Sequence, residues 1–234
     1  MTDIKLSKRM LEVINMVDEK SVADIGCDHA FVAMHLVKSG KASKVIAMDV
    51  KKGPLNIAKD HIKAMCLEDD IDVRLSNGFE KLSPGEVEAA IIAGMGGPLI
   101  VDILKKGQPH IDKGIHLILQ PQSEIYKVRE YLCEIGYKII LEHMLIEEDK
   151  YYTIIKAVPS KDSIEPYSEV ELLYGRNLLL AKHEVLFSYI NKQLSKCEEL
   201  FERLQHIHTD KSESRRDELV KEISLCKEAL DIMG

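Results

Sequence analysis

The chain has 234 residues, 45% of them hydrophobic, and a formal net charge of −7, enough for one full α/β domain with an appendage. No apolar run approaches the ~18 residues of a membrane span, and nothing ahead of Leu6 reads as a signal peptide, so a cytoplasmic protein without membrane contact is expected. The five cysteines have no Cys-x-x-Cys spacing and no paired histidines, which argues against a disulfide framework and a bound metal, and the acidic total means that a nucleic-acid partner would need a local basic face.

The first strand is expected at residues 21–25, and the turn Gly26-Cys27-Asp28-His29-Ala30 leads into a helix near His29. Only the first glycine of a dinucleotide fingerprint is present, so a pyrophosphate would meet the Asp28 carboxylate where it needs bare N–H groups. Asp24 and Asp28 suit a cation instead, and S-adenosylmethionine carries both a sulfonium and an ammonium. The same Asp-x-Gly pattern also occurs as a plain strand-end turn. A second strand at 44–50 places Asp49 about 20 residues after the glycine turn, where an acid binds ribose hydroxyls. Its plainer reading is a solvated acid beside Lys51 and Lys52.

A helix over 54–67 and a strand at 72–76 follow, ending in Ser76-Asn77-Gly78, either an adenine contact or a simple turn. The fourth strand, 89–95, runs into Ala93-Gly94-Met95-Gly96-Gly97-Pro98, a small-residue loop at the switch region where open α/β sheets bind ligands. Beyond a helix at 98–106 comes the fifth strand, 116–121, with Gln120-Pro121-Gln122-Ser123 at its end and a helix at 124–135. Near-continuous apolar strands imply a parallel sheet covered on both faces. Runs at 137–146 and 151–158, joined by Glu147-Glu148-Asp149-Lys150, read as a closing antiparallel hairpin. The expected fold class is α/β and resembles the Rossmann-like sheet of class I S-adenosylmethionine-dependent methyltransferases.

From Glu165 the apolar residues fall into sevens: Leu173, Leu180, Phe187, Leu194 and Phe201, with Ile190, Cys197 and Leu204 beside them. After Thr209-Asp210-Lys211-Ser212 a second run holds Leu219, Ile223, Cys226, Leu230 and Met233. A helical hairpin or antiparallel coiled coil is expected, serving either packing and weak dimerisation or substrate contact. The domains are therefore expected at 1–160 and 161–234.

Taken in order, Leu6-Ser7-Lys8-Arg9, Asp24 to Ala30, Ala93 to Gly97 and Leu119-Gln120-Pro121 resemble the bacterial TrmK family, tRNA (adenine-N1)-methyltransferases acting on adenine 22 in the D-arm region. The likeness runs through the hairpin and the helical arm, with Ala33 in place of the usual proline and Gln122 in place of a common asparagine. It implies S-adenosyl-L-methionine as cofactor and tRNA as partner. Asp24, Gly26, Asp28, Asp49, Asn77, Gly78, Ala93, Gly94 and Met95 would face the cofactor. Lys5, Lys8, Arg9, Gly96, Gly97, Gln120, Pro121 and Gln122 would face the substrate, although Arg9 could equally brace the fold. Asp28 either holds the cofactor ammonium with Asp24 or stabilises charge on the target base, and His29 is either a general base or a neutral histidine at a helix start. Two other readings share the pocket: a non-enzymatic cofactor-binding module, and a methyltransferase for a small molecule or protein.

Overall fold

The computed structural model describes residues 6–234. In chain order the elements are α1 (Lys8–Asn15), β1 (Ser21–Ile25), α2 (Phe31–Lys38), β2 (Lys44–Asp49), α3 (Lys52–Ala64), β3 (Ile71–Leu75), β4 (Ala89–Met95), α4 (Gly97–Lys106), α5 (Gln108–Ile111), β5 (His116–Pro121), α6 (Ile125–Glu134), β6 (Tyr137–Glu147), β7 (Lys150–Pro159), α7 (Glu169–Tyr174), α8 (Arg176–Leu180), α9 (Glu184–Leu204) and α10 (Asp210–Met233). Two compact units divide them, one of residues 1–143 with 152–164 and the other of 144–151 with 165–234, so the hairpin tip groups with the helical segment.

The first unit is built on a sheet of order β3-β2-β1-β4-β5-β7-β6. Strands β1 to β5 pair in parallel and β7 joins β5 antiparallel. Val45, Ile46, Ala47 and Met48 are all fully buried, as are Ala89 to Ile92 and Leu117 to Leu119, because a parallel sheet is covered by helices on both faces. The connection reverses direction between β1 and β4, and their C-terminal ends open the crevice that such sheets offer to ligands.

Helix ends depart from the sequence expectation for backbone reasons. Asp28 and Ala30 are left-handed, with φ of 50° and 58°, so α2 starts at Phe31 rather than His29. Left-handed Cys66 follows the end of α3, short of Leu67, and left-handed Glu124 delays α6 to Ile125.

In the second unit, Gly175 and Lys182, both with positive φ, break the helix along which the row of sevens was drawn. That row is not the buried seam: Leu180 is 69% and Phe187 48% exposed, whereas Leu186, Ile190 and Cys197 on α9 and Leu219, Cys226 and Met233 on α10 are buried. α9 and α10 pack against each other, and α10 starts with a capping box between Thr209 and Ser212.

The largest buried side chain of the first unit, Arg129 of α6, donates from Nε to Glu142 Oε1 of β6 at 2.8 Å with both side chains almost fully buried. Removing the cation strands a carboxylate without solvent. Arg129→Met is therefore expected to cost about 3–5 kcal/mol in urea denaturation, while Arg129→Met with Glu142→Leu recovers most of that loss.

Candidate cofactor and substrate site

Strand β1 ends in the buried Asp24 and Ile25, and the chain then turns sharply. Gly26, at φ 81°, and Cys27 both donate their N–H groups to the Met48 carbonyl of β2, at 2.7 and 2.9 Å. A Cβ on Gly26 would lie 2.2 Å from Cε of Met95, the movable end of a flexible side chain, so the backbone angle is what calls for glycine here. Ala30 N–H closes the turn on Cys27 O at 2.7 Å.

Three acids converge here. Asp24 is buried, and its Oδ2 has no hydrogen-bond partner. Burial, and secondarily the Asp49 charge, pushes its carboxyl up to about 7. Asp49 accepts the Asp28 N–H on Oδ2 at 3.2 Å and the Lys51 N–H on Oδ1 at 2.8 Å, leaving a lone pair on each oxygen for a further donor. Asp28 is the outward one: its side chain is 72% exposed, with Oδ1 3.7 Å from His29 Nε2. Burial and the neighbouring acids push the Cys27 thiol well above its ordinary range, so it is no nucleophile.

A cavity of about 240 Å³ opens at this turn. Asp24, Gly26, Asp28, His29 and Ala93 line it, together with residues that sequence reasoning did not assign to a site: Leu6, Ser7 and Met10 around the start of α1, and Cys27, Phe31 and Val32. Ser7 also caps α1, its Oγ accepting the Met10 N–H at 3.3 Å. Phe31 stacks on His61 of α3 with centroids 5.3 Å apart and meets His29 edge-on at 5.9 Å. The only sequence signal for this ring group was an aromatic placed directly after the turn.

The second loop is tied down from several sides. Gly94 N–H donates to Gln120 Oε1 at 3.1 Å, Arg9 Nη1 donates to the same oxygen at 2.5 Å, and Gln122 N–H donates to Met95 O at 2.8 Å. Gly97 donates to Ser123 O at 2.9 Å, and a Cβ there would sit 2.5 Å from that oxygen. One expectation changes accordingly, and one of two alternatives is selected. Gln120 is completely buried and its amide is occupied by Arg9, Gly94 and Pro121 O, so it shapes the loop rather than reaching a base. Arg9 is half-buried on Gln120 and over the Tyr152 ring at 5.0 Å, which is the bracing arrangement rather than a free phosphate contact.

The remaining residues stand apart. Asn77 is exposed and donates from Nδ2 to Glu80 Oε1 at 3.0 Å, and Gly78 lies against Ile103, although Ser76 N–H ties this turn to Asp49 O at 2.9 Å. Gly96 lies beside Ser123, Pro121 is buried, and Gln122 is exposed. Lys8 is exposed on α1, and Lys5 lies outside the described residues. Among the described residues no group of three His, Cys, Asp or Glu could hold a metal, and no helix is long and apolar enough to cross a membrane.

Asp24 stands near 3.8 when unfolded and is held protonated up to about 7 by folding. Stability tied to the neutral form is thus complete below about 4 and lost as pH rises past 7. Asp24→Asn is expected to melt above the unmodified chain at pH 8 and to show no such advantage at pH 4, as calorimetry of the ligand-free protein would reveal.

Comparison with known proteins gives one consistent picture. A family model described as tRNA (adenine(22)-N(1))-methyltransferase, TrmK, matches residues 22–228. A Bacillus subtilis (strain 168) tRNA (adenine(22)-N(1))-methyltransferase is 33% identical, the match covering 99% of both chains. A Streptococcus pneumoniae protein solved in complex with S-adenosyl-L-methionine is 30% identical, with a TM-score of 0.84 over 97% of this chain and 100% of its own. The TrmK of M. capricolum, solved with S-adenosyl-homocysteine, is 26% identical with a TM-score of 0.84, covering 98% of this chain and 99% of its own.

Proposed function

This chain belongs to the TrmK family of tRNA (adenine(22)-N(1))-methyltransferases, and we propose that the acid-lined cavity at the end of β1 is where it binds S-adenosylmethionine to methylate N1 of adenine 22. The observation that carries the reading is the unpartnered Asp24 Oδ2, a buried carboxyl oxygen on a cavity wall that a cationic ligand would satisfy. Asp24 holds the ammonium of the methionine part. Asp49 accepts the two ribose hydroxyls on its remaining lone pairs while its backbone bonds hold it in place. The turn around Asn77 and Gly78, tied to Asp49 through Ser76, borders the adenine.

The cofactor supplies an electrophilic methyl group on sulfur. Adenine N1 would take the methyl group with its own lone pair as the carbon–sulfur bond breaks and the sulfur leaves as a neutral thioether. The protein therefore needs no strong base, and its contribution is alignment, which can lower such a barrier by ~7–11 kcal/mol. The rigid 93–97 loop, held by Gln120, Gln122 and Ser123, presents backbone groups to the flat base. Asp28, outward and exposed, stabilises the positive charge that grows on the ring and takes up the N6 proton, with His29 beside it. Because N1 lies on the Watson–Crick edge, the base must be unpaired when it reacts. A monomer or weak dimer is the working form proposed, with the exposed Leu180 and Phe187 of the helical segment as apolar surface available for weak pairing.

Methyl transfer to an unmodified tRNA transcript, followed by nucleoside mapping, is expected to give N1-methyladenosine at position 22. Asp28→Ala should keep cofactor binding and lose about 10²–10³-fold in transfer. A wild-type protein that binds cofactor yet methylates no tRNA would refute the reading, and an Asp28→Ala protein that no longer binds cofactor would move Asp28 to the ammonium.

Cofactor affinity should depend on pH in a defined direction. Below about 7 the Asp24 carboxyl is neutral and must release a proton to pair with the ammonium, so affinity rises from pH 5.5 to 8. Titration calorimetry in buffers of different ionisation enthalpy should detect the released proton for the unmodified chain and none for Asp24→Asn.

A further inference from the structure

The second unit contains a pocket that shares no residue with the acid-lined cavity. Its volume is about 310 Å³, at the small end of the ~300–1,000 Å³ of small-ligand pockets, and its walls are Asp149 and Tyr151 from the hairpin tip and Tyr189, Lys192, Gln193 and Lys196 from α9. The four α9 residues recur at helical spacing and share one face. The Tyr151 and Tyr189 rings meet at 5.0 Å with 63° between their planes, and both rest against the buried cluster around Tyr174, Leu186 and Ile190. They are therefore pre-positioned, with little side-chain freedom left to lose on binding a ligand.

The cations beside the rings differ from several others in this unit. Arg203, Arg215, Arg216, Lys221 and Lys227 each face a carboxylate. No such ion pair is found for Lys192 or Lys196 among the described residues, and Lys192 Nζ instead lies 5.7 Å from the Tyr151 centroid. Two ammonium groups one helical turn apart beside a paired aromatic surface are the features that bind single-stranded RNA, stacking for the base and cations for the phosphates. The protein as a whole is acidic, so a local basic face of this kind is what an RNA partner requires. Asp149 only accepts hydrogen bonds, which suits a ribose hydroxyl or a base amino group and keeps phosphate on the lysine side.

We infer that this pocket is an RNA-docking site, in which an unpaired nucleotide of the substrate tRNA stacks on Tyr151 and Tyr189 while Lys192 and Lys196 hold the adjoining phosphates. The inference rests on the tRNA reading above and extends it to the helical unit. A peptide partner is disfavoured: an apolar one would leave both ammonium groups desolvated, and an acidic one would make no use of the ring pair.

The test uses the full chain and an unmodified tRNA transcript. Lys192→Glu with Lys196→Glu is expected to raise KM for tRNA about tenfold or more and to reduce the salt slope of tRNA binding by about 1–2, with the cofactor dissociation constant unchanged. Tyr151→Leu should raise KM likewise, whereas Tyr151→Phe, which keeps the ring, should not. If the lysine reversal leaves KM and salt slope at their wild-type values, the inference is overturned while the methyltransferase reading stands. Wild-type protein unable to methylate any tRNA would remove both.

Discussion

A carboxyl group held out of water at the end of the innermost part of the sheet is the constraint around which the site is arranged. Parallel strands covered on both faces expose their polar ends only where they stop, and Asp24 lies just inside that limit, buried on β1 with one oxygen unpartnered. An isolated carboxylate there is costly, and the nearby charge of Asp49 raises the cost. In the proposed binding mode a cationic ligand would supply the counter-charge that the fold withholds.

The turn after Asp24 is held with corresponding rigidity. One carbonyl, that of Met48, takes the N–H groups of both Gly26 and Cys27, and the Met95 side chain lies against the bare face of Gly26. Through that contact the turn after β1 and the loop after β4 form one floor. Gln120 fastens the far side by accepting from Arg9 and Gly94 together. A reaction that asks mainly for alignment benefits from a floor whose backbone groups are fixed before any ligand arrives.

Much of this arrangement was legible along the chain, and what was missed has a common cause. Asp24, Gly26 and Asp49 could be read because each lies at a strand end, where local periodicity and the chemistry of the side chain speak together. Gln120 was read as substrate-facing, and Arg9 as either substrate-facing or a brace, because a cation and an amide near a loop look available in a sequence. Their pairing spans more than a hundred residues and has no local trace. Phe31 and His61 form a stacked pair only because α2 and α3 lie on neighbouring strands. The sevenfold row through Leu173, Leu180 and Phe187 assumed one unbroken helix, whereas Gly175 and Lys182 reset the phase and turned those side chains outward.

By itself, the sequence determined the alternation of strands and helices, the class of sheet, and the acids and glycines at the strand ends, since these depend on patterns within a few residues. Only the tertiary structure decided which oxygen of Asp24 lacks a partner, that Arg9 braces Gln120, where each helix begins, and which face of α9 is buried. Those outcomes follow from contacts between segments distant in the chain and from left-handed backbone at Asp28, Ala30 and Glu124, and neither is written in residue spacing.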